Sequence, residues 1–177
     1  MPGASRKPTP VRSCPGRRIT GLLPVHGKTP RVLILGSFPG TASLARREYY
    51  ANPRNHFWQI ASLLFSFSTD LPYDGKLAVL SARGIALWDV IGSCCRVGSA
   101  DDRIHDPQFN DIGGFVLQFP SLRFVALNGS TAGRYFNGLD ISGSIPSEVL
   151  PSTSPANTRY SFAEKADCWR TIARYLA

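Results

Sequence analysis

The chain has few acidic residues. Twelve Asp and Glu stand against twenty Lys and Arg in 177 residues, a formal net charge of +8 with an isoelectric point near 9.7. That balance points to a polyanionic partner, nucleic acid first and an anionic membrane surface second. Long apolar runs are also missing. None approaches the roughly 20 residues that span a bilayer, and the N-terminus lacks the apolar core of a secretory signal; no membrane association and a cytoplasmic location are expected. Cysteine is sparse: Cys14, Cys94, Cys95 and Cys168 show no C-x-x-C spacing, which argues against a zinc site, an iron–sulfur cluster or a disulfide framework. Adjacent Cys94 and Cys95 are expected as reduced, partly buried thiols. The residues imply no metal and no cofactor. Neither G-x-x-x-x-G-K-[ST] nor G-x-G-x-x-G occurs, which disfavours a nucleotide-binding, flavodoxin-like protein.

What is present suffices for one folded domain. Hydrophobic residues make up 43% and charged residues 18% of the chain, ordinary values for a globular protein. Residues 1–18 (MPGASRKPTPVRSCPGRR) are rich in Pro, Arg and Lys without apolar periodicity and read as a flexible basic arm; residues 19–177 read as a single α/β domain.

The most informative stretch is RVLILGSFPGTASLARREYYANPRNHFW, residues 31–58. Val32 to Leu35 form a short, unbroken apolar run, the mark of a strand buried on both faces of a parallel sheet. Gly36, Ser37, Phe38, Pro39 and Gly40 then turn the chain sharply, and Thr41 or Ser43 is expected to cap a following helix. In open α/β sheets, ligands bind at that carboxyl edge. The second half, Tyr49 to Trp58, crowds aromatics, carboxamides, Arg54 and His56 together, a mixture suited to stacking on a flat polar ligand. Aromatics that merely dock a loop on the core are the alternative.

Strand patterns recur at 85–91, 122–127 and 145–150, separated by helical patterns at 58–67, 71–82, 115–119, 130–136 and 161–175. Residues 92–111 read as a long irregular loop. Four strands joined by helical crossovers predict a mainly parallel four-stranded sheet in a three-layer α/β/α domain. Its carboxyl rim gathers Ser37 and Phe38, Trp88 and Asp89, Asn128, and the segment from Ser152 to Ser154.

Five segments in this order, LILGSFPG at 33–40, YYANPRNHFW at 49–58, GIALWDVIGSCCR with GSADDRI at 84–104, NG at 128–129, and LPSTSPAN with RY at 150–160, resemble the uracil-DNA glycosylase superfamily. The match is closest to its hypoxanthine-DNA glycosylase branch, often called family 6. The resemblance implies hydrolysis of the N-glycosidic bond of a deaminated base flipped out of DNA, with hypoxanthine from deoxyinosine as the expected target; a monomer, nucleoid-associated when acting on DNA, is expected. Asn55 falls on the branch's catalytic asparagine. The first turn lacks the acidic or asparagine residue of other branches, and the LPSTSP loop lacks their histidine; both departures point away from ordinary uracil excision.

The residues fit that chemistry. A stacked base must be extruded before it can be cleaved, and cleavage passes through a cationic, oxocarbenium-like sugar. Asn55 can orient a water and aim a carbonyl dipole at that charge; a turn-capping role is its alternative, and His56 is a competing proton-transfer group. Gly36, Ser37, Phe38, Trp88, Asp89 and Asn128 are the candidate base-binding residues, with Phe38 and Trp88 stacking, Asp89 accepting from N1–H and Asn128 donating to O6. Pro39, Gly40, Arg54, Ser152, Thr153, Ser154, Pro155 and Arg159 are candidates for DNA contact. Uracil- or xanthine-directed glycosylases and a non-catalytic DNA-binding module are the competing readings.

Overall fold

The computed structural model describes residues 17–141 and 143–177. Nearly all of the basic arm therefore lies outside the described residues, and its boundary moves: Arg18 already belongs to the first strand, β1 (Arg18–Thr20).

The main sheet contains β2 (Val32–Gly36), β3 (Ile85–Asp89), β6 (Phe124–Asn128) and β7 (Ser147–Leu150), all parallel, in the order β3-β2-β6-β7. β2 is central and buried throughout, as its apolar run predicts. Side chains alternate across a strand, so Val32 and Ile34 face one core with Phe57, Ile60 and Trp169, while Leu33 and Leu35 face another with Ile112, Phe115 and Phe136. The first core is covered by α2 (Phe57–Phe65), α3 (Tyr73–Ala82) and α6 (Phe162–Trp169), the second by α4 (Ile112–Gln118) and α5 (Ser130–Asn137). The three-layer α/β/α architecture follows.

From β2 the chain moves out to β3, then returns to the other side of β2 for β6 and β7. Such a reversal opens a crevice at the carboxyl ends of the two strands flanking it, here β2 and β6. A site is thereby placed at Gly36 and Asn128 by topology alone.

The stretch expected as an irregular loop instead builds a second, antiparallel sheet, β1-β4-β5, from β4 (Ile91–Cys95) and β5 (His105–Phe109). β5 is a largely exposed edge strand with a proline in it, the position where proline is tolerated, and that composition conceals a strand. Of the adjacent cysteines, Cys94 is a free buried thiol as expected, whereas Cys95 is disulfide-bonded, correcting the expectation of a reduced pair. The short helix α1 (Thr41–Arg46) has Gly40 at its N-cap and no side-chain cap. Thr41 and Ser43 serve other bonds: Ser43 Oγ accepts from Ala51 N at 3.1 Å, and Thr41 binds Ser99.

Candidate active site

A cleft of about 870 Å³ opens at the crevice between β2 and β6. Its lining combines the 36–43 turn, Tyr49, Tyr50, Asn52 and Asn55, Asp89, residues 99–102, residues 128–131, and the loop from Leu150 to Asn157 with Arg159.

Its floor is Gly36 and Asp89, paired across β2 and β3. A Cβ on Gly36 would run into Asp89 Oδ1, so glycine is required for the carboxyl to lie where it does. Asp89 is 5% exposed, and its Oδ2 finds no partner among the described residues. Desolvation, with the nearby Asp101 adding to it and Arg96 opposing, pushes its pKa up from 3.8 to about 7. Beside it stands Tyr50, at φ 56°, a left-handed backbone that a bulky residue adopts only under constraint. Its ring stacks on Phe57 at 3.8 Å, and its hydroxyl is buried without a partner among the described residues. Burial raises the pKa of this phenol, so the proton stays on it.

The turn after β2 is held from two sides. Ser37 Oγ donates to Asp101, within 2.9 and 2.8 Å of its two oxygens. Phe38 is buried with the Arg96 guanidinium 4.8 Å from its ring centre, and Arg96 donates to the Pro39 carbonyl.

Two carboxamides far apart in sequence reach the same cleft. Asn55 Oδ1 accepts from Phe57 N at 3.0 Å, which supplies α2 with the N-terminal acceptor that His56 does not. The capping reading of Asn55 is thus correct, and it does not compete with the catalytic one: the bond fixes the side chain at the cleft wall and leaves a lone pair on Oδ1 and both N–H groups. Asn128 is tied to Thr153, accepting from its backbone N at 2.9 Å and donating to its Oγ1 at 3.0 Å, and its amide also lies beside the Tyr50 hydroxyl. Thr153 also takes His56 N on its carbonyl at 3.0 Å. Fully buried, it joins the Asn55 segment, β6 and the last loop into one wall.

That last loop is braced from beneath by α6. Trp169 Nε1 donates to Pro151 O at 2.9 Å, and Lys165 Nζ reaches Asn157 O at 2.9 Å and Ser154 O at 3.4 Å. Lys165 is 1% exposed, so its charge is held by those carbonyls rather than by water. Lys165→Met keeps the buried stem, leaves the Asn157 carbonyl without its donor and leaves Ser154 O with Asn157 N alone, at 3.1 Å. It is expected to cost about 1–3 kcal/mol of stability, read by urea denaturation, and to make the 151–157 loop susceptible to limited proteolysis.

Most sequence-derived candidates converge: Gly36, Ser37, Phe38, Pro39, Gly40, Asn55, Asp89, Asn128, Ser152, Thr153, Ser154, Pro155 and Arg159 all line the cleft. Two do not. Trp88 points to the second core, half-buried with its ring centre 5.4 Å from that of Phe115, because the alternation along β3 that sends Asp89 to the cleft sends its neighbour elsewhere. Arg54 is exposed on the bend before α2 and outside the lining. His56 is also outside it, its ring edge-on to Phe162 at 5.4 Å. The sequence reading missed Tyr50, Arg96, Asp101 and Lys165. Lys165, set between Glu164 and Asp167, reads as one charge of a solvated helix face, and Arg96 and Asp101 carry no signal beyond their place in a polar segment.

Comparison with known proteins bears on this geometry. Residues 24–177 match the family model described as "Uracil DNA glycosylase superfamily". The chain is 36% identical over 156 residues to a protein of Methanosarcina acetivorans named "Hypoxanthine DNA glycosylase", covering 88% of this chain and 98% of that one. It is 34% identical over 140 residues to a Methanosarcina barkeri protein of the same name, covering 78% and 88%. A solution NMR structure from M. acetivorans, described as "a putative Uracil DNA glycosylase", superposes with a TM-score of 0.79 at 35% identity, over 90% of this chain and 99% of that one.

Proposed function

The chain belongs to the uracil DNA glycosylase superfamily, and from that premise we propose that it is a monofunctional DNA glycosylase that excises hypoxanthine from deoxyinosine in DNA and leaves an abasic site. The observation that carries this reading is the convergence of Asn55, Asp89, Asn128 and the glycine turn on one cleft. At about 870 Å³ the cleft falls within the roughly 300–1,000 Å³ of small-molecule sites.

Extruding a base costs a few kcal/mol, less at a mismatched pair, and inosine opposite thymine or cytosine meets that condition. Hypoxanthine presents an N1–H donor beside an O6 acceptor; adenine presents the reverse. Ionised Asp89 accepts from N1–H and the Asn128 amide donates to O6, so adenine would leave buried polar groups unmatched. Phe38 offers an apolar face. The braced Ser152–Pro155 loop and Arg159 meet the duplex backbone. As the C1′–N9 bond breaks, Asn55 orients the attacking water.

The protein acts as a monomer in this reading, and among the described residues no helix is long and apolar enough to cross a membrane. The test is a panel of duplexes carrying one inosine, uracil, xanthine or unmodified base, followed by alkaline strand scission. Scission at inosine above the other bases, unchanged by a chelator, is expected. Preferred scission at uracil or xanthine replaces the base assignment, and binding without abasic product leaves only a DNA-binding module.

A further inference from the structure

Bond cleavage at C1′ creates positive charge on the sugar, yet Asn55, the group nearest the chemistry in the reading above, is neutral. Three carboxylates line the cleft: Asp89, Asp101 and Asp102. Asp89 lies at the base-binding floor. Asp102 is exposed, and no side-chain hydrogen bond or ion pair holds it among the described residues. Asp101 differs from both. The 99–103 segment folds back onto the first turn through Ser99 bound to Thr41, with Ile104 buried behind it, and this brings Asp101 within 2.9 Å of Ser37 Oγ, 64 residues away in sequence. A charge is thereby fixed at the carboxyl end of β2.

We propose that Asp101 is a second catalytic group of the cleft, the fixed negative charge that stabilises the cationic sugar and receives the proton of the attacking water. The proposal rests on the glycosylase reading. The C1′–N9 bond breaks with its electron pair going to the base, which leaves as neutral hypoxanthine after taking a proton from solvent. Water forms the new C1′–O bond and releases its proton to the Asp101 carboxylate, which returns it to solvent. A preorganised charge beside a developing one acts without reorganisation. The surroundings divide the two carboxyls as such a mechanism needs: burial raises both, but the Ser37 hydroxyl, Arg96, Thr131 and Arg134 all favour ionised Asp101, whereas at Asp89 only Arg96 opposes the rise.

The experiment separates chemistry from binding. Single-turnover rates at saturating protein are measured on an inosine duplex, and dissociation constants on the same duplex carrying non-cleavable 2′-fluoro-deoxyinosine, for wild type, Asp101→Asn, Asp101→Glu and Ser37→Ala. Asp101→Asn is expected to lower the rate about 100-fold while binding stays equal or tightens, because a carboxylate facing a polyanion has been removed. Asp101→Glu restores part of the rate, and Ser37→Ala, which retains the charge but frees its orientation, loses about tenfold. An Asp101→Asn rate within threefold of wild type overturns the proposal, as does a parallel loss of rate and affinity, the pattern of a structural role. Should wild type leave inosine uncut, the glycosylase reading falls and this one with it; if wild type and Asp101→Asn cut it alike, this one falls alone.

Discussion

Asn55→Ala is expected to abolish excision of hypoxanthine while leaving affinity for inosine-containing DNA within a few-fold of wild type. The side chain has two tasks in this structure. Its Oδ1 accepts from Phe57 N at the start of α2, and the residue lines the cleft with a lone pair and its N–H groups left over from that bond. Removing one preorganised group of this kind costs roughly 100- to 1,000-fold in rate, and more where the same group also positions the nucleophile. Loss of the helix acceptor adds about 1 kcal/mol of destabilisation, which a melting curve registers separately. Asn55→Asp distinguishes the two tasks, since a carboxylate keeps the acceptor for Phe57 N but has no N–H to direct. It should melt near wild type and still differ from it in rate. Turnover retained by Asn55→Ala would reject the residue as catalytic, and a collapse of both variants in the melting curve would assign it to the fold.

How much of this was legible beforehand depends on the range of the interaction concerned. The strand at 32–36 and the turn after it are local: an apolar run bounded by glycine can do little else, and both stand where the sequence puts them. The three-layer arrangement follows from alternation of strands and helices. The antiparallel sheet was invisible because HDPQF is largely exposed and carries a proline, so its pairing with β4 comes from backbone bonds and from polar contacts to distant residues, Gln108 with Ser93 and Asp106 with Arg18, which no local pattern announces. In the site, Asp89 and Asn128 could be named because each ends a recognisable strand, and Asn55 because the PRNHFW block resembles that of the family. The bracing could not be. Lys165 holds carbonyls of a loop ending eight residues before it, and Asp101 meets Ser37 across 64 residues; no periodicity encodes either. Trp88 shows the converse error, since a residue named for its chemistry was carried away from the site by strand alternation, with Asp89 beside it.

Asp89→Asn should make the protein more stable and less discriminating at once. In the unfolded chain this carboxyl ionises near 3.8; in the folded protein it ionises near 7. A folded-state value raised in this way means that its contribution to stability is fully present below about pH 4 and is lost as pH rises through 7, because the unfolded state then accommodates the charge better. A neutral isostere avoids the loss. The rise from 3.8 to about 7 caps the gain at roughly 4 kcal/mol above pH 7, shrinking to nothing near pH 4, and thermal melts at pH 4, 6 and 8 read the trend. Function should respond in the opposite direction. If the ionised carboxyl accepts from N1–H, kcat/KM on inosine falls up to tenfold for each pH step of one below about 7, since that parameter follows the free protein's essential groups. Asparagine can turn either its oxygen or its NH2 to the base, so the variant should lose this acid limb and accept adenine, whose N1 is an acceptor, at a measurable rate. An acid limb that survives Asp89→Asn would move the titration to another group, with Asp101 next in line, and an unchanged preference for inosine over adenine would remove Asp89 from base reading. A buried carboxyl that destabilises the folded state as pH rises, with Oδ1 given room by Gly36 and Oδ2 unpaired among the described residues, is explained by a ligand that supplies the missing donor.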